Sequence, residues 1–326
     1  MQRLVPKMER WHTRLESSVA DRPGAISAGP TSPDRVNILL RAIEVPDMHA
    51  PPGFPQSGPQ LLGSLRGIKA SMEELDENPA EPLTEIDDIG IAELEAFALA
   101  NGANSIGYTT VEPHWIFKDK AILHPNAIVL TQEMDKERID TAPSKAAGLA
   151  VHETYNHLGQ LSNTVARYLR AKGYSAHAGH PLNGLALYPP LGQAAHLGYR
   201  GIHGLLITPE YGPTVRLAAV FTSIGNLPMP EGTNPHAWIE EFCDHCRLCI
   251  RKCPVDAIHD EPIVHDDGRL TCADDEKCLP FFALNHGCSI CVAVCPFNKL
   301  GYERLHRSVE THGHPRAVEH AVAAST

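Results

Sequence analysis

The spacing of the cysteines constrains this chain more than any other feature of its sequence. All nine cysteines of the 326 residues lie in one segment, from Cys243 to Cys295. The first four form the run C-x2-C-x2-C-x3-C-P, which ends at Pro254. Thiolates separated by two residues can converge on the corners of one metal–sulfur cube, and the fourth points away towards a second cube. The spacing therefore predicts a module built around two metal clusters.

A second, shorter run completes the pattern. The run C-x2-C-x3-C-P begins at Cys288, and no cysteine stands three residues before it. The missing ligand must come from further upstream, where Cys278 and Cys272 are the alternatives. We favour Cys278 because it opens a short segment that can fold back on the motif, although the spacing alone does not decide between the two.

The two runs together are typical of bacterial ferredoxins, in which the last cysteine of each run ligates the other cluster. Zinc sites are one alternative, but zinc favours paired C-x2-C units without a third cysteine. A disulfide-rich secreted module is another, but its cysteines would be scattered along the chain. We predict two [4Fe–4S] clusters, the first held by Cys243, Cys246, Cys249 and Cys295, and the second by Cys253, Cys278, Cys288 and Cys291.

Charge and hydropathy exclude several classes of partner. The formal net charge is −11, which disfavours nucleic acid because nucleic-acid binding needs a basic surface. No apolar run is long enough to span a bilayer. The N-terminal residues contain no apolar signal-peptide region and no twin-arginine pair. The sequence therefore predicts a cytoplasmic protein without a membrane partner.

The composition divides the chain into four parts. Residues 1–84 are rich in proline and glycine, and prolines such as Pro51, Pro55 and Pro59 predict an extended arm with short helical pieces. A partly disordered tail is the alternative there. Residues 85–228 alternate strand and helix patterns, which predicts a layered α/β domain. Residues 229–305 form the ferredoxin-like module, and 306–326 a C-terminal tail.

Particular elements can be predicted within residues 85–228. A helix ends at Gly102, and a long helix runs from about Ser144 to Lys172, where apolar residues recur at helical spacing. A shorter helix is predicted around 191–197. Strands are predicted at 104–111, 127–134, 174–178, 204–212 and 216–224.

Four stretches of the chain resemble corrinoid-dependent reductive dehalogenases, whose superfamily includes epoxyqueuosine reductase. They read EKCLPFFALNHGCSICVAVCPFNK, AIVLTQEMDKERIDTAPS, RYLRAKGYSA and GLLITPEYGPTVRLAAVFT, and the similarity extends from about Ala92 to Leu305. The resemblance implies an α+β protein with a nitroreductase-like α/β corrinoid-binding domain followed by a bacterial ferredoxin-like domain with two [4Fe–4S] clusters.

The same resemblance implies cofactors, partners and a reaction. The corrinoid would be cobalamin or a related corrinoid, bound base-off. Electrons would come from an external donor (a ferredoxin, a flavodoxin or a flavin reductase) and pass through the clusters to cobalt. The substrate would be a small organic molecule of the organohalide type, whose carbon–halogen bond is cleaved reductively.

Three residues match the positions of that family's proton donor and its helpers: Tyr155, Asn183 and Arg216. A tyrosine is a weak acid, and a nearby cation such as Arg216 favours its deprotonated form and eases proton delivery. Each residue also has a structural alternative. Tyr155 could be an interior tyrosine with a satisfied hydroxyl, Arg216 an ordinary strand residue, and Asn183 a turn residue beside Gly184.

The family binds its corrinoid through many backbone contacts, so the resemblance supplies no sharp motif for that site. We expect the contacts in two regions, around residues 182–191 and 204–212. The candidate contact residues are Leu182, Gly184, Leu206, Thr208, Pro209, Tyr211 and Gly212.

The sequence also departs from the family patterns. Residues 195–201 read AHLGYRG where many dehalogenases read A-G-L-G-E-x-G-R. The resemblance therefore does not identify the substrate. The D-T-G-P stretch that carries the acidic residue of epoxyqueuosine reductases is replaced by GHPLNGLALYPP. Three other functions therefore stay open: an electron-transfer protein without a substrate, a protein that activates the corrinoid of another enzyme, and a reductase that modifies tRNA.

Overall fold

The structure is a computed structural model that describes residues 19–34 and 54–312. Much of the predicted arm (residues 1–18 and 35–53) and most of the predicted tail (313–326) lie outside the described residues. The helices are α1 (Phe54–Glu73), α2 (Asp88–Ala100), α3 (Lys136–Ile139), α4 (Lys145–Ala171), α5 (Tyr188–Ala194), α6 (Trp238–Cys246), α7 (Leu248–Arg251), α8 (Asp275–Leu284), α9 (Ile290–Ala293), α10 (Pro296–Leu300) and α11 (Tyr302–His312). The strands are β1 (Ala25–Ser27), β2 (Ser105–Thr110), β3 (Ala121–Leu123), β4 (Asn126–Glu133), β5 (Ala176–Ala178), β6 (Tyr199–Arg200), β7 (Leu206–Ile207), β8 (Val215–Thr222), β9 (Ile258–Val264) and β10 (Leu270–Ala273).

A four-stranded antiparallel sheet in the order β2-β4-β8-β5 forms the centre of the α/β part. Side chains alternate between its faces because successive residues of a strand point to opposite sides. Ile128 and Leu130 face α2 and α4, whereas Ala127 and Val129 face α5 and the short pair β1–β3. Both faces of the central strands are therefore buried.

The long helix α4 follows the predicted span closely and is confirmed. Its start is fixed by Ser144, whose hydroxyl accepts a hydrogen bond from the Ala147 N–H at 3.1 Å. Leu158, Val165 and Leu169 recur on one face of the helix and are buried against the sheet. The same helix carries Tyr155 towards its N-terminal end.

The helix α1 corrects the expectation that prolines break every long element before residue 84. It runs without interruption through Pro59, and it packs parallel to α4. Gly63 and Gly67 allow the close approach, since a Cβ at either position would collide with an α4 side chain. Four hydrogen bonds join the helices: His152 Nδ1 with the Ser57 hydroxyl at 3.0 Å, Asn156 Nδ2 donating to Gln60 Oε1 at 2.9 Å, Gln160 Nε2 donating to the Gly63 carbonyl at 3.2 Å, and Asn163 Nδ2 donating to the Gly67 carbonyl at 2.9 Å. These tertiary contacts offset the hydrogen bond that Pro59 cannot donate.

Two other sequence predictions need correction. The strand predicted at 204–212 is limited to β7, because Thr208 and Gly212 exchange two backbone hydrogen bonds of 2.9 Å and close a turn. Gly212 has φ 55° and lies against the backbone of Phe297, so a side chain there would be strained and crowded. The helix predicted at 191–197 starts earlier, at Tyr188, and ends at Ala194 before the left-handed residue His196.

The ferredoxin-like part repeats one local geometry at two of its C-x2-C loops, Cys246–Cys249 and Cys288–Cys291. A left-handed residue follows the first cysteine of each loop, Arg247 at φ 48° and Ser289 at φ 68°. A one-turn helix, α7 or α9, then starts directly and carries the next cysteine. The two halves of the module thus present their cysteines in the same way.

The predicted boundary between module and tail falls inside α11. Leu305 is 1% exposed and packs with Phe242, Phe297 and Tyr302, so this helix belongs to the core of the module. Within the described ranges, none of the helices is both long enough and apolar enough to cross a membrane.

Candidate functional site

The first predicted cysteine group comes together in one pocket. Cys243, Cys246, Cys249 and Cys295 line this pocket together with apolar neighbours, among them Phe242 and Phe297. The four thiols are close enough for their negative charges to repel one another. The last cysteine of the second run therefore lies in the same pocket as the first three of the first run, and their role as the ligands of one cluster stays a prediction.

The second group assembles around Cys291, which is partly buried. Its electrostatic neighbours include Cys253, Cys278 and Cys288, and Cys278 in turn interacts with Cys253 and Cys288. Cys272 has no such neighbour among the cysteines: it lies on β10 beside Arg200 and against Gly204. The structure therefore places Cys278 with the second group and Cys272 apart from it, and the role of Cys278 as the fourth ligand stays a prediction.

Thiols in both groups have raised pKa values, so they are protonated unless a metal binds. Burial raises the pKa of Cys249 and of Cys291 to about 12 and the pKa of Cys278 to about 11, with repulsion from neighbouring thiolates adding to the effect. A cluster ligand must be a thiolate, and bound iron supplies the positive charge that makes a buried thiolate stable. Within the described part of the chain, no three His, Cys, Asp or Glu side chains come close enough to share a single metal ion.

A cation lies over the ring of the predicted proton donor. The guanidinium carbon of Arg216 is 5.2 Å from the centroid of the Tyr155 ring, which is a cation–π contact. His152 meets the Tyr155 ring edge-on, with 6.3 Å between the ring centroids. The pKa of His152 is lowered, first by burial and also by the charge of Arg216. The buried Nε of Arg216 has no hydrogen-bond partner, so it can bind an anion or a polar substrate group.

Tyr155 also lies beside the second cysteine group. It packs in one apolar cluster with Leu205, Val151 and Cys291. On the same helix, Gly148 packs against the carbonyl of His286, two residues before Cys288, and a Cβ there would collide with it. The N-terminal end of α4 is thus in direct contact with the loop that carries the second group.

Asn183 occupies a separate loop, between β5 and α5. It has φ 62°, and Gly184 after it packs on Tyr188 and on the carbonyl of His180. The structure thus brings Tyr155 and Arg216 together and places Asn183 on a neighbouring segment in a turn conformation.

The candidate corrinoid contacts separate into two sets. Leu206 and Thr208 are 1% and 2% exposed, and Gly212 is buried against Phe297, so these three are used in packing. The half-exposed residues are Leu182, Gly184, Pro209 and Tyr211. These four are the candidate contacts that stay partly exposed, and corrinoid binding at them remains a prediction.

A hairpin loop that the sequence did not single out joins the two parts. Residues 201–205 connect β6 to β7, and the backbone N–H of Ile202 donates to the thiol of Cys243. Leu205 in the same loop packs beside Tyr155. The signal in the sequence is Gly201 and Gly204, which bracket a tight turn closed by the Gly204 N–H and the Gly201 carbonyl at 2.8 Å.

The fold and the site define an α+β protein with a ferredoxin-like iron–sulfur module, and comparisons with known proteins agree. The family described as a 4Fe-4S binding domain matches residues 236–259. In sequence, the chain is 34% identical over 194 residues to the tetrachloroethene reductive dehalogenase of Sulfurospirillum multivorans, which covers 57% of this chain and 38% of that protein. The enzyme of the same name from Desulfitobacterium hafniense is 33% identical over 217 residues, covering 61% of this chain and 37% of the other. An epoxyqueuosine reductase from Synechococcus is 32% identical over 113 residues, a third of either chain.

Solved structures show the same fold. The catabolic reductive dehalogenase NpRdhA in complex with 3-bromo-4-hydroxybenzoic acid superposes with a TM-score of 0.69 at 20% identity, over 93% of this chain and 47% of that one. A second reductive dehalogenase structure gives a TM-score of 0.62 over 80% of this chain and 40% of that one. The resemblance predicted from the sequence and the predicted fold class are therefore confirmed. The chain spans less than half the length of the dehalogenases that it matches.

Proposed function

We propose that this chain is a corrinoid- and iron–sulfur-dependent oxidoreductase of the reductive dehalogenase type, which removes halide from a small organic substrate. The observation that carries the proposal is the position of Tyr155, which lies under the guanidinium of Arg216 and in the same apolar cluster as Cys291. A proton donor, a cation and the second iron–sulfur centre would then meet at one place.

The reaction balances with these parts. Replacing a carbon-bound halogen by hydrogen consumes two electrons and one proton and releases one halide ion. Two four-iron clusters deliver electrons one at a time, and the second group is the one beside Tyr155. A bound corrinoid would supply low-valent cobalt, a strong reductant and nucleophile.

The side chains of this chain would handle the proton and the anion. The Tyr155 hydroxyl donates the proton to the carbon that loses the halogen. Arg216 stabilises the phenolate that remains, and its unpartnered Nε can hold the departing halide or an anionic group of the substrate. Burial keeps water away from the inner part of this site, which favours reduction of the substrate over side reactions.

The test begins with the cofactor content of the full chain after anaerobic reconstitution with iron, sulfide and cobalamin. About eight irons, for two four-iron clusters, and one cobalt per chain are expected. Halide release is then measured with a chemical reductant and two probes, tetrachloroethene and 3-bromo-4-hydroxybenzoic acid. Full iron and cobalt without halide release from these or from a wider set of halogenated alkenes and phenols would contradict dehalogenation.

A second candidate is an electron-transfer protein that serves another enzyme. It is favoured by the tight packing of Leu206, Thr208 and Gly212, which withdraws these three residues from any corrinoid. This candidate predicts full iron content and no bound cobalt under the same conditions. The cobalt measurement therefore separates the two functions.

A further inference from the structure

The hairpin loop at residues 201–205 places an unused hydrogen-bond donor at the first cysteine group. His203 is 8% exposed and lines the same pocket as Cys243, Cys246, Cys249 and Cys295. Its neighbour Ile202 already donates its backbone N–H to Cys243. The loop thus reaches into the module from the α/β part of the chain, next to the thiols.

The tautomer of His203 is fixed by a contact within the loop. The backbone N–H of Leu205 donates to His203 Nδ1 at 3.1 Å, so Nδ1 must be the unprotonated acceptor. In an imidazole with an unprotonated Nδ1, the proton sits on Nε2. Nε2 is therefore a donor, and the structure gives it no hydrogen-bond partner although it is buried.

A buried donor without an acceptor is unfavourable, and sulfur atoms are the acceptors that this pocket offers. The remaining lining includes Phe242, Phe297 and Pro296, none of which has a side-chain acceptor. Bound iron and sulfide would place anionic sulfur atoms in this pocket. The orphaned donor and the four thiols are thus chemically complementary.

We propose that His203 donates a hydrogen bond from Nε2 to a sulfur atom of the first [4Fe–4S] cluster and raises the reduction potential of that cluster. Reduction adds negative charge to the cluster, and a donor aimed at its sulfur stabilises the added charge. His203 then sets the potential of the centre that is further from Tyr155. The inference rests on the proposed cluster at Cys243, Cys246, Cys249 and Cys295, and it is independent of corrinoid and substrate.

The first test needs no substitution. The full chain is labelled with ¹⁵N-histidine, reconstituted with iron and sulfide, reduced, and studied by pulsed EPR. A coupling to histidine ¹⁵N and to a proton that exchanges in deuterium oxide is expected at one of the two clusters. A protein that holds about eight irons but shows neither coupling would overturn the role of His203 and leave the clusters in place. A protein that binds no iron would overturn the cluster proposal itself.

The second test compares two substitutions by redox titration. His203→Leu removes the donor and should shift one cluster to a more negative midpoint potential, with the other unchanged. His203→Gln places an amide N–H near the former Nε2, so it should restore the potential and keep the exchangeable proton while losing the histidine ¹⁵N coupling. His265→Leu is the matched control, because His265 bonds the Thr271 hydroxyl at 2.8 Å in the β9–β10 hairpin. Equal potentials in the wild type and the His203→Leu protein would refute the proposal.

Discussion

Arg216 of the central sheet makes a cation–π contact with Tyr155 of the long helix α4, with the guanidinium carbon 5.2 Å from the ring centroid. Arg216 projects from β8, opposite Gln132 of β4, and Tyr155 projects from α4. The contact therefore depends on the packing of α4 against the sheet, and it fixes the orientation of the tyrosine at the candidate site.

Replacing the Tyr155 hydroxyl tests its role as a proton donor. Tyr155→Phe keeps the ring and its packing but removes the proton, so turnover should fall by about 10²- to 10⁴-fold. Iron and cobalt content should not change. The measurement is halide release by the reconstituted protein, with Tyr168→Phe as the control, because Tyr168 stacks on Phe97 near the other end of α4. Equal losses in both variants would mean that Tyr155 has no special role.

Substitution of Cys278 and of Cys272 tests which of the two is the fourth ligand of the second cluster. Cys278→Ser should lose the second cluster or leave it incomplete, because Cys278 neighbours Cys253 and Cys288. Cys272→Ser should keep about eight irons per chain. Iron analysis and EPR of the two variants identify the fourth ligand. Loss of iron in Cys272→Ser and full iron in Cys278→Ser would make Cys272 the ligand.

The ion pair between Glu74 and Arg170 should be the strongest single interaction that holds the end of α1 against α4. Glu74, just after α1, pairs with Arg170 at 2.6 Å, and the two side chains are 13% and 6% exposed. Glu74→Gln removes the carboxylate that pairs with both Arg170 and Arg167 and leaves only the more distant charge of Glu77 for the buried Arg170, so the free energy of unfolding should fall by about 3 kcal/mol. Glu73→Gln is the control, because its partner Lys69 is half exposed and such pairs contribute at most about 0.5 kcal/mol. Urea titration of both variants measures the difference, and equal stabilities would contradict the role given to Glu74.

Two buried histidines make the fold sensitive to acid. Burial lowers the pKa of His177 and of His180 to about 3, and the charged and titratable groups that face His177 are His180, Arg22, His124 and Arg170. The unfolded chain takes up protons near pH 6.5 whereas the folded chain does not, so stability is full above that pH and falls as the pH drops towards 3. Between pH 7 and pH 5 the loss should be about 2 kcal/mol for each histidine.

The acid sensitivity can be checked by urea titrations at pH 7, 6 and 5. His180→Gln is the informative variant, since a glutamine amide can keep the bond from the ring nitrogen Nε2 to Asn163 Oδ1, 2.9 Å in the native protein. It should lose about 2 kcal/mol of the destabilisation between pH 7 and pH 5, while His177 and His203, whose pKa values are also lowered by burial, keep the rest. A variant with the wild-type pH dependence would show that other groups cause it.

The sequence predicted those parts of the molecule that depend on local spacing. The C-x2-C runs and the helical spacing of apolar residues after Ser144 are local signals, and the structure forms the loops and the helix that they indicate. Spacing alone could not decide between Cys278 and Cys272. The three-dimensional structure was required, because residues far apart in the chain determine which thiol approaches Cys288.

The missed parts depend on tertiary contacts. Pro59 suggested a break, but pairing with α4 keeps α1 continuous. The positions of Ile202 and His203 gave no signal beyond two flanking glycines, since their importance comes from a module that begins some thirty residues later. Leu206 and Thr208 are buried by packing that no local pattern reveals, and the corrinoid contacts expected there stay predictions.

The loop at residues 201–205 limits how freely the two parts of this protein can be exchanged. Ile202 bonds Cys243, Gly204 packs on Cys272, and Leu205 packs with Tyr155 and Cys291. A chimera that joins this α/β part to the iron–sulfur module of another protein would have to match all of these contacts at once. We therefore expect that neither part can be exchanged for its counterpart from another protein without loss of these contacts.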